Sequence, residues 1–148
     1  MPIDCQHVRV MDISFGDESL GRIARRRTAK EYPERYLVLE NVGEELEANL
    51  QSLCEQREIV LVVTRTGEDL PTLLGELSTE LSDTYNIAVR EGRLTARELI
   101  EQIGGESKLT IAASSNRLTR LEALGVVAQV DAETIEGGGR QKVFTPVY

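Results

Sequence analysis

The spacing of apolar positions divides the chain into two stretches of different character. His7-Val-Arg-Val-Met11 is short and rich in β-branched residues, and it predicts a strand that stops at Asp12. Ser14-Phe-Gly-Asp17 has the spacing of a capping box, a hydroxyl at the cap and a carboxylate three residues later. Phe15, Leu20, Ile23 and Ala24 continue as an irregular helical stripe. Arg25, Arg26 and Arg27 close it, where cations complement the helix dipole. Pro33 disfavours helix at the residue before it and ends the segment. Tyr36 to Val42 reads as a second strand, and Gly43 with two glutamates opens a second helix carrying Leu46, Leu50, Leu53 and Cys54 on one face. Ile59-Val-Leu-Val-Val63 is an uninterrupted apolar run, as a central buried strand requires. Turn residues at Thr66 to Asp69 precede Leu73 and Leu74, which suits a short hairpin partner. Residues 1–76 therefore predict β-α-β-α-β-β, an α/β half.

Residues 77–148 predict a mainly α module. Leu77, Leu81, Tyr85, Ala88 and Val89 sit at helical spacing, with a helix expected from Ser78 to Glu91 and a stop at Gly92. Thr95-Ala-Arg-Glu98 is a second capping box, starting a helix with Leu99, Ile100 and Ile103 that Gly104-Gly105 stops. A third helix is expected from about Lys108 to Leu124, with Ile111, Leu118, Leu121 and Leu124 inward and Gly125 as its end. Val126 to Val130 predicts a strand, Glu136 to Arg140 a glycine-rich tip, and Lys142-Val-Phe-Thr145 the return strand of a hairpin.

Composition narrows the function classes. The 148 residues carry a formal net charge of −8, which opposes a general positive field for coating nucleic acid or anionic membrane. The charge is unevenly placed: residues 1–30 are net +2, residues 31–106 net −11 and residues 107–148 net +1. No apolar run approaches the roughly 18 residues of a membrane span, and no charged-then-apolar leader is visible. Cys5 and Cys54 form no C-x-x-C and have no histidine cluster, so neither a metal site nor a disulfide framework is expected, and a reducing cytoplasm is. Glycine-rich phosphate loops and serine-elbow patterns are absent, and His7 stands alone. The expectation is no enzyme and no cofactor. Arg22, Arg25, Arg26, Arg27 and Lys30 form a basic cluster, readable either as a solvated helix end or as a surface for phosphates or an acidic partner.

Leu94-Thr-Ala-Arg-Glu-Leu99, then Ser115-Asn-Arg-Leu-Thr-Arg-Leu-Glu-Ala-Leu-Gly-Val-Val127, then Gly139-Arg140 and Val143-Phe144 occur in the order of a support helix, a recognition helix and a wing. The stretch from Leu94 to Phe144 resembles winged helix-turn-helix domains of bacterial and archaeal transcription regulators. The resemblance implies that the early polar face of the third helix enters a DNA major groove while arginines and the wing hold phosphates. The available donors are Lys108, Thr110, Ser114, Ser115, Asn116, Arg117 and Arg120 on the helix, with Arg140 and Lys142 on the wing. The alternative is an ordinary solvated face.

Val10-Met-Asp-Ile-Ser-Phe-Gly-Asp-Glu-Ser-Leu-Gly21, followed by Tyr36 to Val42 and Leu46 to Leu53, is similar to the STAS-like fold of anti-sigma-factor antagonists. In that family a strand ends in an aspartate and serines before a helix, and the helix-start serine can accept phosphate from a partner kinase. The resemblance places Ser14 at that position, with Asp12 before it; the simpler reading is that Ser14 is only an N-cap. Together these features predict an α/β STAS-like domain over 1–76 and a winged helix-turn-helix domain over 77–148. The implied protein is a cytoplasmic, prokaryotic, DNA-binding transcription regulator, with double-stranded DNA, a regulatory protein and a second copy in a homodimer as partners. The alternative is a protein-interaction switch that does not bind DNA.

Overall fold

A computed structural model describes residues 1–31, 35–104, 108–134 and 139–148. The fold is mixed α/β with two sheets, and the chain divides into two compact units. The first comprises Met1–Leu77 with Ala123–Val126 and Val147–Tyr148; the second comprises Ser78–Glu122 and Val127–Pro146. Pro33, Gly105 and the expected hairpin tip at 136–138 lie outside the described residues. Among the described residues no helix is long and apolar enough to cross a membrane.

The first unit is built on a four-stranded sheet in the order β1 (Pro2–Asp4), β2 (Val38–Glu40), β3 (Leu61–Thr64) and β4 (Thr72–Leu74). The first three strands are parallel, with Ile3 opposite Leu39 and Leu39 opposite Val63, whereas β4 runs antiparallel to β3. Helix α1 (Ile13–Gly16), a π-helical turn (Asp17–Gly21) and α2 (Arg22–Thr28) follow without a break, because Gly16 and Gly21 both keep helical backbone angles. Helix α3 (Glu44–Arg57) connects β2 to β3. Its Leu46, Leu50, Leu53 and Cys54 share one buried cluster with Leu39, Leu61 and Val63 of the sheet and Leu20 of the π turn. The apolar faces read from the sequence for this helix and the central strand are the faces that are buried.

Two local expectations are corrected. His7–Met11 is not a strand; the edge of the sheet is Pro2–Asp4 instead. The Cys5 N–H donates to the Glu40 carbonyl at 2.8 Å and Cys5 is buried, which leaves Val8 and Val10 outside at 37% and 57% exposure. A proline at the first position of an edge strand forfeits no ladder bond. The helix cap is Asp12, whose carboxylate accepts the Phe15 N–H at 2.9 Å, and Ser14 lies inside the first turn. Phe15 consequently points outward, while Gly16 faces the core so closely that a Cβ there would stand 3.0 Å from Leu53 Cδ2.

The arginines of the cluster take different partners. Arg25 and Arg57 both bind Asp17, the latter at 3.1 Å, and the hydrogen bond from Arg25 holds the Asp17 carboxyl below its ordinary value. Arg26 pairs with Glu31 at 3.5 Å, and buried Arg27 lies 3.9 Å over the Tyr36 ring. Cys5 and Cys54 are free and buried, and desolvation pushes the Cys54 thiol up to about 12.

The second unit contains α4 (Thr79–Glu91), α5 (Ala96–Ile103), most of α6 (Ile111–Leu124), and the antiparallel pair β5 (Val127–Thr134) and β6 (Arg140–Pro146). Ser78 caps α4 by accepting the Leu81 N–H, and Gly92 ends it in a left-handed turn at φ +73°. Thr95 and Glu98 form the reciprocal capping box, with bonds of 3.3 and 2.8 Å. Between α4 and α5, Leu94 exchanges both backbone hydrogen bonds with Phe144, so β6 is paired on its two sides. Leu81, Tyr85, Leu99, Leu118, Leu121 and Phe144 supply buried side chains to this unit.

Candidate nucleic-acid interface

Helix α6 starts at Ile111 rather than near Lys108, because Thr110 caps it. The Thr110 hydroxyl accepts the Ala113 N–H at 3.1 Å and its carbonyl accepts the Ser114 N–H at 2.9 Å. With that start, Ser114, Leu118 and Leu121 form the buried stripe, all at 0% exposure. Two expectations change as a result. Ser114 is enclosed and has no surface to offer DNA, so it is removed from the contact set. Ile111, expected inward, is 52% exposed at the first helical position.

Ala112, Asn116 and Arg120 succeed one another at four-residue intervals and are all exposed. Lys108 and Thr110 are exposed just before the helix, and Ser115 is half-buried beside this face. Arg117 is turned away from it: its guanidinium pairs with Glu80 of α4 at 3.1 Å, and its side chain is 21% exposed. That bond joins the third helix of the unit to its first.

Ser115, Arg140 and Lys142 are brought together. They line a groove of about 300 Å³ with Arg97 of α5, Ile111 of α6 and Phe144 of β6. Arg97 did not stand out in the sequence, where the motif Leu94 to Leu99 was read only for its cap and apolar positions. Its signal is helical phase, since two positions before buried Leu99 is the opposite side of a helix. The groove therefore holds three cations from two separate segments, and among the described residues no carboxylate lines it. On the neighbouring helices Glu98 is engaged with the Thr95 N–H and with Arg93 at 3.6 Å, and Glu91 with Arg90 at 2.9 Å.

Chemically, this is a surface for anions arrayed along an edge. The start of the 14-residue helix, where Ile111 lines the groove, adds the positive dipole end to the three side-chain cations. Among the described residues, no group of His, Cys, Asp and Glu is arranged to hold a metal ion. Comparison with protein-family profiles, curated proteins and solved structures gives no match for this chain.

Proposed function

We propose that the second unit is a winged helix-turn-helix domain that binds duplex DNA, and that the protein is a transcription regulator. The observation that carries this reading is the convergence of Arg97, Arg140 and Lys142 on one groove, with no carboxylate among its described lining residues, in a chain of net charge −8. Supporting it is the order α4, the Leu94 bridge, α5, α6, β5 and β6, in which the third helix presents a small and polar face beside the hairpin. Asn116 and Arg120 are the base-reading candidates, because amide and guanidinium groups pair bidentately with adenine and guanine edges. Arg97, Arg140 and Lys142 are phosphate contacts, which set register and affinity. Ala112 leaves room for a base methyl group at the same face.

The first unit is the partner-binding or assembly module in this reading. Its STAS-like aspect rests on Asp12 and the exposed Ser14 at a helix start, without the strand that the resemblance puts before them. Ser14 is the proposed phosphoacceptor there, and a second copy of the chain is the proposed partner for reading two half-sites.

The test is selection of bound sequences from a random duplex pool, followed by anisotropy titrations at several salt concentrations. A selected site is expected, with affinity falling as salt rises. Arg140→Ala and Lys142→Ala should each lower the log–log salt slope by about 1. Asn116→Ala should relax the selected sequence at a cost of about 1–3 kcal/mol, whereas Ser114→Ala should leave binding unchanged. An unselected pool at low salt would sink the reading in favour of a protein-interaction switch.

A further inference from the structure

In the first unit, Arg22 and Arg26 stand one helical turn apart on α2, and Arg35 arrives from the segment before β2. All three line one groove of about 320 Å³ with Ser19, Ile23 and Tyr36. A solvated helix end would not explain this, because Arg35 is not part of the helix. Among the described residues Glu18 is the carboxylate in the lining, and it lies 3.9 Å from Arg22, at the long limit of an ion pair. Arg26 reaches Glu31 at 3.5 Å, with both side chains in contact with water. Exposed pairs of this kind contribute roughly 0–1 kcal/mol, so a better anion can displace them. The Met1 amine also borders the groove, but it is occupied by the Tyr36 carbonyl at 2.8 Å.

We propose that this groove is a binding site for a small organic phosphate monoester. Guanidinium groups match the oxygens of a phosphate as planar forks, and spacing of one turn lets two of them share a single anion. Tyr36 and Ile23 offer an apolar wall for the organic part. Tyr36 is itself held in place by Arg27 at 3.9 Å from its ring centre. The volume suits a small molecule, since ligand pockets begin at roughly 300 Å³. Among the described residues Arg22, Arg26 and Arg35 stand against Glu18 and Glu31, and two guanidinium forks one turn apart match a dianion better than a monoanion. The site lies wholly within the first unit and does not depend on DNA binding by the second.

Titration calorimetry of the full chain with phenyl phosphate tests this, with inorganic phosphate and phenol as comparison probes. One phenyl phosphate per chain is expected, bound more tightly than inorganic phosphate, with no binding of phenol. Affinity should rise from pH 5 to pH 7.5, because the monoester loses its second proton near a pKa of roughly 6 and the arginines do not titrate. Arg22→Ala with Arg26→Ala should weaken binding about tenfold or more. Glu18→Gln, which removes the competing carboxylate and keeps the shape, should tighten it. No heat with phenyl phosphate at millimolar concentration overturns the proposal, as does equal affinity for phenyl and inorganic phosphate. If the double variant does not fold, Glu18→Gln decides: tighter binding supports the site, and unchanged or weaker binding overturns it.

Discussion

Gly75 ends β4 with φ at +98°, and a Cβ built on it would stand 2.3 Å from the Ile59 carbonyl oxygen. Backbone cannot move aside as a side-chain end can, and a positive φ strains any other residue there. Gly75→Ala should therefore cost about 3 kcal/mol or more in urea unfolding, while Gly43→Ala, with nothing within 4 Å, should stay near neutral. An equally stable Gly75→Ala protein would contradict the geometry. Residue roles were legible unevenly at this scale. Gly92 and Gly125 were visible as helix stops, and both take left-handed angles. Arg117 was visible as a cation but not as the partner of Glu80, because 37 residues of chain separate them. Ser114 and Ile111 lie three positions apart on one helical face, and position along the helix separates them: Ser114 is enclosed one turn in, whereas Ile111 stands at the first helical position and is 52% exposed.

Helices and strands with caps or continuous patterns were the readable elements. The Thr95–Glu98 box and the four inward residues of α3 all occur as their spacing implies. The beginning of the chain was not readable in this way, because two oxygen-bearing residues compete to cap the same helix. Asp12 accepts the Phe15 N–H, and Ser14 has already entered the first turn. Asp12→Ala should lower stability by about 1 kcal/mol, with Ser14→Ala close to zero; a thermal unfolding comparison separates them, and the reverse order would restore Ser14 as the cap. The π turn at Asp17–Gly21 has no sequence signature of its own. Leu20 within it is buried, and in the helix after it Arg27 is enclosed over Tyr36 while Arg22 and Arg26 line one groove.

For the molecule as a whole, the first unit is not a continuous stretch of chain, since Ala123–Val126 and Val147–Tyr148 belong to it. A fragment of residues 1–77 lacks these pieces, among them buried Val126 and Val147. It should unfold at a lower temperature than the same unit in the full chain, as calorimetry would show; an equal midpoint would mean that the added pieces contribute nothing. Net charge was a poor guide until it was resolved along the chain: −11 lies in residues 31–106, while Arg140 and Lys142 belong to a segment of +1. By itself the sequence determined the mixed α/β character, the helix ends with a single candidate cap or stop, and the buried faces of α3 and β3, because periodicity and capping act within a few residues. Tertiary structure alone decided that Pro2–Asp4 rather than His7–Met11 joins the sheet, since β1 pairs with a strand 36 residues away. It also decided which cations converge. Arg97 meets Arg140 and Lys142, and Arg22 and Arg26 meet Arg35, only when packing brings separate segments to one surface.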